Sequence, residues 1–182
     1  MTSGLTENNG RLEQRLDGCR AYFEHVLTPN AELFFGQSRT PASTINLVTS
    51  LFHFHEWLHR EFKEKLLLKY GAEAETPGGF WRCIQKTNPD FGYIRDMTNG
   101  SKHVKLEAKG KGGPSTEMRG IEEFAIERRG FGIGGFGLGS YGGGPDPIVT
   151  VGDRTAELYP ISRQLLDYWS GLLLELEGLS GE

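Results

Sequence analysis

Apolar positions recur at helical spacing in three long segments of this chain. Between residues 11 and 27 they alternate in steps of four and three, which predicts a helix that ends at Pro29. A second helix is predicted from Thr40, as N-cap before Pro41, to residue 70, and a third covers 160–177. The apolar seams comprise Leu12, Leu16, Cys19, Phe23 and Val26; Ile45, Val48, Phe52, Phe62 and Leu66; and Ile161, Leu165, Trp169, Leu172 and Leu176.

Two shorter helices are predicted between the second and third long ones. Residues 72–79 have the composition of a linker, and 80–86 follow as a short apolar helix. The chain restarts at Asn88 and Pro89, and a helix from 89 to about 103 fits the apolar pattern. Gly100 within it costs about 1 kcal/mol relative to alanine, so the alternative is that this helix ends at residues 99–100.

The pattern changes beyond residue 107, since half of the 26 glycines lie between 107 and 147. The glycine-rich part excludes a helix, and two β-like runs flank it at 121–127 and 148–151. The second run turns at Gly152 and Asp153 into a further apolar run at 156–159. These runs predict a small antiparallel hairpin or meander, connected by the glycine-rich tract.

Together the elements predict a mainly α fold, a helical bundle of four to five helices with a small antiparallel β insertion before the last helix. A length of 182 residues suits a single domain spanning 1–182. Within it we expect a bundle core at 11–106, a glycine-rich segment with a β-hairpin at 107–159, and a C-terminal bundle helix at 160–178.

Composition narrows the functional classes. A net charge of -4 argues against a general nucleic-acid coat protein, which would need a broad basic face. Cys19 and Cys83 are far apart and offer neither a disulfide framework nor a CxxC metal site. The first residues lack the features of a signal peptide, and no apolar stretch approaches the roughly 18 residues of a membrane span. We therefore expect a cytoplasmic protein with no membrane partner.

The strongest candidate site is a polar cluster formed by Arg95, Asp96, Asn99, Lys102 and His103. In a helix, residues 95, 99 and 103 stand at i, i+4 and i+8, roughly on one face. Histidine exchanges protons at neutral pH, and arginine binds phosphate through paired hydrogen bonds, so the cluster suits phosphodiester chemistry. The structural alternative is a salt bridge between Arg95 and Asp96, a helix cap at Asn99, and a bond from His103 to a backbone carbonyl.

The Asn-x-x-Lys-His element at residues 99–103 resembles one shared by small bacterial and phage-associated proteins, where it ends a helix. More distantly, a helical bundle with an arginine, a following polar residue and a later histidine resembles the HEPN superfamily. Many HEPN members are metal-independent RNases of toxin-antitoxin and phage-defence systems, and others are non-catalytic binding domains. In this family two protomers often contribute residues to one site. Here seven residues separate Arg95 from His103, a longer spacer than the family pattern has.

The resemblance implies a role for each residue. Arg95 would stabilise charge on the scissile phosphate, and His103 would assist proton transfer as a neighbouring 2′-hydroxyl attacks. Asp96 or Asn99 would orient the histidine, and Lys102 would hold a flanking phosphate. It also implies RNA as a partner, a homo-oligomer, and an antitoxin or other protein partner.

A second candidate site is the histidine pair His55 and His59, which at i and i+4 could share a metal ion on one helical face. Both lie on the apolar seam of the second helix, so the commoner explanation is a pair of histidines satisfied within or near the core. Otherwise the sequence implies no cofactor.

The third candidate is the glycine-rich tract, where aromatic and arginine side chains could stack on single-stranded nucleic acid. Its alternative is a flexible connector. The basic residues of this neighbourhood, which could guide RNA to the cluster, are Lys109, Lys111, Arg119, Arg128 and Arg129. Beside an RNA-binding or RNA-cleaving protein, two classes remain open: a non-catalytic interaction or oligomerisation module, and a metal-binding helical-bundle protein that uses the histidine pair.

Overall fold

The computed structural model describes residues 7–8, 11–12, 15–36, 39–103, 106, 116–128 and 145–178, of which 7–8, 11–12 and 128 are described by their backbone alone. Its helices are α1 (Cys19–Tyr22), α2 (Thr28–Gly36), α3 (Pro41–Tyr70), α4 (Pro77–Thr87), α5 (Phe91–Lys102) and α6 (Leu158–Glu177), with a π-helix at Phe23–Leu27 and 3-10 turns at Ala72–Glu75 and Ile121–Glu123. The strands are β1 (Glu7–Asn8), β2 (Arg11–Leu12), β3 (Phe124–Arg128), β4 (Pro145–Val151) and β5 (Arg154–Glu157). The predicted mainly helical fold with a small antiparallel sheet before the last helix is confirmed.

The long helix α3 is the element around which the others pack. It begins as predicted: the Thr40 hydroxyl accepts from Ser43 N (3.1 Å), and the Ser43 hydroxyl accepts from Thr40 N (2.9 Å). This reciprocal capping box satisfies two backbone donors at the helix start. Gly71 ends the helix with a φ of 75°, a conformation that glycine adopts without strain. Because α3 contacts α1, α2, α4, α5 and α6, it forms the centre of the bundle.

The N-terminal helix differs from the prediction at both ends. Residues 11–12 form a strand, and the helix starts at Cys19, whose backbone N–H donates to Oε2 of Glu61 on α3 (2.7 Å). Pro29 does not end it. A π-helical turn precedes the proline, and the wider i to i−5 spacing of that turn accommodates a residue that lacks an N–H. The chain therefore stays helical from 19 to 36.

Residues 72–79, predicted as a linker, are mostly helical. Ala74 is buried in the 3-10 turn, and Thr76 caps α4 by accepting from Gly79 N (3.1 Å). A Cβ on Gly79 would lie 1.8 Å from the carbonyl oxygen of Glu73, so glycine permits this close approach. Helix α4 is thus longer than the predicted 80–86, because Thr76 and Pro77 act as N-cap and first turn.

Helix α5 runs through Gly100 and ends at Lys102, close to the predicted 89–103. Gly100 is buried, and a Cβ there would lie 3.6 Å from the Met118 side chain and from the backbone of Ile121. These are ordinary van der Waals distances, so packing against the 118–121 segment does not require glycine at this position.

The three-stranded sheet has the order β3-β4-β5, antiparallel throughout, with Phe124 opposite Val149 and Val149 opposite Ala156. The expected apolar strand at 156–159 is only partly right, because β5 ends at Glu157 and Leu158 already belongs to α6. Val149 joins the hydrophobic core, which thus extends from the helices to the sheet. At its centre lies Trp169, whose ring is 5.7 Å from that of Phe54.

Candidate functional site

The predicted polar cluster lies along α5 and splits into a buried and an exposed part. Asp96 is fully buried, Arg95 and Asn99 are half-buried, and Lys102 and His103 are exposed. His103 is the C-cap: its N–H donates to the Asn99 carbonyl (3.0 Å), and its backbone angles are extended (φ −126°, ψ 124°). Eight residues of helix span about 12 Å, which sets the scale of the separation between Arg95 and His103.

Asp96 faces a different segment from the one the resemblance implies. Its Oδ2 accepts hydrogen bonds from the backbone N of Thr116 (2.6 Å) and from the Thr116 hydroxyl (2.7 Å). Hydrogen bonds to a carboxylate are stronger than neutral ones, particularly where water is excluded. Asp96 therefore anchors the chain that returns from residue 116 toward the sheet.

The exposed end of α5 meets α3 through a histidine that the predicted cluster did not include. Lys102 Nζ donates to Nε2 of His53 (3.1 Å), and Nδ1 of His53 lies 3.3 Å from Oε2 of Glu56. An ammonium group only donates, so Nε2 must be the accepting nitrogen and Nδ1 carries the proton that Glu56 accepts. This chain of contacts defines the His53 cluster, which we take as Glu56, His53, Lys102 and the adjoining His103.

The contact with Lys102 links His53 to the C-terminal end of α5. His103 follows Lys102 directly, so their Cα atoms are about 3.8 Å apart. Imidazole nitrogens can donate or accept hydrogen bonds, and the Lys102 ammonium can bind an anion. The arrangement therefore contains the components of general acid–base chemistry on a phosphate ester.

His53 was missed as a site residue because sequence spacing does not link it to α5. It lies 49 positions before Lys102, and only the packing of α3 against α5 joins them. The sole signal in the sequence was its position off the apolar seam that contains the next histidine, His55.

The predicted metal pair His55 and His59 is buried in α3, with 2% and 8% of each residue exposed. His55 Nδ1 contacts the carbonyl of Phe52, and His59 Nε2 lies 3.1 Å from the carbonyls of Ala74 and Glu75. Burial lowers the pKa of His55 to about 4. No group of three or more potential metal ligands occurs in the described ranges. These contacts agree with histidines satisfied in the core, and metal binding stays a prediction.

Most of the basic residues that were predicted to guide RNA lie outside the described part of the chain: Lys109, Lys111, Arg129 and the side chain of Arg128. Arg119 is exposed, and its carbonyl accepts from Leu106 N (2.7 Å), so the chain returns here beside the residues that follow His103. Of the basic residues predicted to guide RNA, Arg119 thus lies in a segment near the end of α5.

The fold and these contacts define a helical bundle with a small antiparallel sheet and a polar cluster where α3 meets the end of α5. None of the family models, curated proteins or solved structures compared with the chain matches it. The HEPN resemblance is accordingly untested and remains a prediction. Among the described helices, none has both the length and the apolar character needed to span a bilayer.

Proposed function

We propose that this protein is a metal-independent endoribonuclease of the HEPN-like kind and that the His53 cluster is its catalytic site. The observation that carries the proposal is the 3.1 Å contact between Lys102 Nζ and His53 Nε2, which joins His53 to the residue that precedes His103. Cleavage of RNA by its own 2′-hydroxyl requires one group to remove a proton and another to supply one. We assign these two tasks to His53 and His103.

In the proposed reaction, one histidine removes the proton from the 2′-hydroxyl while the oxygen attacks phosphorus. The bond from phosphorus to the 5′-oxygen breaks, and the other histidine protonates that leaving oxygen. Lys102 leaves its contact with His53 to bind a non-bridging phosphate oxygen, where negative charge increases. The products are a 2′,3′-cyclic phosphate and a 5′-hydroxyl.

Other residues support the reaction without taking part in proton transfer. Glu56 accepts from Nδ1 of His53 and thereby keeps Nε2 directed at the substrate, as orienting carboxylates do in catalytic triads. Arg95, about 10 Å further along α5, would bind the phosphate of a neighbouring nucleotide rather than the scissile one. Asp96 would act by holding the 116 segment in place.

The test is cleavage of a random-sequence RNA pool by the purified protein in excess EDTA, with analysis of the new ends. We expect His53→Gln and His103→Gln each to lower the rate by about 10²–10⁴-fold, the usual contribution of a general acid or base. His25→Gln is the matched control, because His25 is exposed on the π-helical turn and lies outside the cluster. DNA of the same sequence should stay intact, since it lacks the attacking hydroxyl.

The outcomes separate the three classes of function. Cleavage that survives both His53→Gln and His103→Gln would refute the catalytic site. Another outcome is that the protein binds RNA without cleaving it. Binding that falls with added salt and is weakened by Lys102→Gln would reduce the function to RNA binding. Neither cleavage nor retention would favour the non-catalytic interaction module.

A further inference from the structure

A cleft of about 370 Å³ lies at the opposite end of α5 from the His53 cluster. Three chain segments form it: the start of α5, residues 116–117, and the hairpin of β4 and β5. A span of twelve residues in a helix is about 18 Å, so the cleft is separate from the exposed end at Lys102. Its lining residues are Pro89, Asp90, Tyr93, Thr116, Glu117, Val151 and Arg154.

Three charged side chains, those of Asp90, Glu117 and Arg154, line the cleft together with the half-buried Tyr93. Burial raises the pKa of Tyr93, the carboxylate of Asp90 raises it further, Arg154 lowers it, and Glu117 raises it again. All three charges therefore lie within electrostatic range of one hydroxyl. Yet none of the ion pairs between described residues involves Asp90, Glu117 or Arg154.

Two carboxylates and one guanidinium give the cleft a local charge of −1, and the complementary ligand has two positive groups and one negative group. A basic amino acid such as lysine has this set, with its α-ammonium, side-chain ammonium and carboxylate. Its methylene chain also suits the apolar side of the cleft, where Val151 and the Tyr93 ring lie. The volume falls within the range of small-molecule sites.

We propose that this cleft binds a free basic amino acid, with the two cationic groups against Asp90 and Glu117 and the carboxylate against Arg154. Guanidinium and carboxylate groups pair through two parallel hydrogen bonds, which orients the ligand. The charged side chains are largely solvent-exposed, so each pair contributes modestly and a Kd of about 0.1–1 mM is expected. This site does not depend on the proposed RNase activity.

Calorimetric titration of the full chain with four probes tests the proposal. L-lysine has all three groups, cadaverine lacks the carboxylate, L-norleucine lacks the side-chain ammonium, and L-glutamate reverses the charge. We expect lysine to bind about tenfold more tightly than cadaverine or norleucine, and glutamate not to bind. Equal affinities for lysine and norleucine, or no saturable binding of lysine up to about 10 mM, would overturn the proposal.

Substitutions in the cleft test which side chain binds which charged group of the ligand. Arg154→Gln should weaken lysine binding about tenfold and should not weaken cadaverine binding, because cadaverine has no carboxylate to lose a partner and is relieved of a repulsive charge. Glu117→Gln should weaken both probes. Asp153→Asn is the control, since Asp153 is exposed in the adjoining turn and does not line the cleft. Equal loss of lysine and cadaverine binding in Arg154→Gln would contradict the proposed orientation.

Discussion

The pairing of Asp96 with Thr116 should contribute measurably to stability, and a double-mutant cycle isolates it. The carboxylate of Asp96 is fully buried and accepts from both the backbone N and the hydroxyl of Thr116, at 2.6 and 2.7 Å. A hydrogen bond to a charged group contributes about 1.5–3 kcal/mol. Thr116→Val removes the hydroxyl bond to Asp96 and keeps the backbone bond, and Asp96→Asn keeps the shape while removing the charge.

Each single variant also has costs unrelated to the pair. The Thr116 hydroxyl accepts from Met118 N (3.2 Å), so Thr116→Val leaves that donor without its partner. Because this loss occurs whether residue 96 is Asp or Asn, it cancels in the cycle. We expect a coupling free energy of about 1–2 kcal/mol, which is the part of the hydroxyl bond that depends on the carboxylate charge.

Urea unfolding of the wild type, both single variants and the double variant, followed by circular dichroism, measures the coupling. Asp96→Asn combined with Thr155→Val is the control, because Thr155 is exposed on β5 and makes no bond to Asp96. The control pair should be additive within about 0.5 kcal/mol. If the Asp96 and Thr116 variants were equally additive, the anchoring role of this carboxylate would be refuted.

Three further predictions concern one buried histidine and two helical glycines. The pKa of His55 is lowered by burial to about 4, whereas an unfolded chain titrates near 6.5, so the unfolded state binds more protons between these values. The free energy of unfolding should therefore fall by up to about 3 kcal/mol as the pH drops from 6.5 to 4; equal pH slopes in the wild type and His55→Phe would contradict this. Gly79→Ala should lower the melting temperature by several degrees, because its Cβ would lie 1.8 Å from the Glu73 carbonyl oxygen. Gly171→Ala, in the exposed middle of α6 with nothing within 4 Å, should instead stabilise the protein by about 0.5–1 kcal/mol, and calorimetric scans showing the same sign for both variants would refute the packing argument.

Elements whose signals are local were predictable from the sequence. Helix α3 begins at Pro41 as the Thr40 cap predicted, and α6 ends at Glu177 before Gly178, whose φ is 73°. Capping, proline placement and left-handed glycine act within a few residues, so the sequence contains the whole signal. A hairpin or meander before the last helix was likewise predicted from β-like runs and from the turn at Gly152, although its first strand begins at Phe124 and not at residue 121.

Elements that depend on packing were not predictable in the same way. The apolar pattern did not show that Cys19 starts a helix, because the stabilising partner is Glu61 on α3. The break predicted at Pro29 does not occur, since the π-helical turn that accommodates the proline is not signalled by residue type. In both cases the hydrophobic pattern of the neighbouring residues does not contain the interaction that determines the structure.

The candidate site likewise has a part that was predictable from the sequence and a part that depends on packing. The sequence by itself identified the residues of chemical interest on one helix, because a spacing of four places side chains on a common face. Only the tertiary structure determined which of these residues are exposed. It also pairs Asp96 with Thr116 and brings His53, 49 positions earlier in the chain, into contact with Lys102. Helix packing determines such contacts through the complementary shapes of distant surfaces, and periodicity within one segment contains no information about its partner.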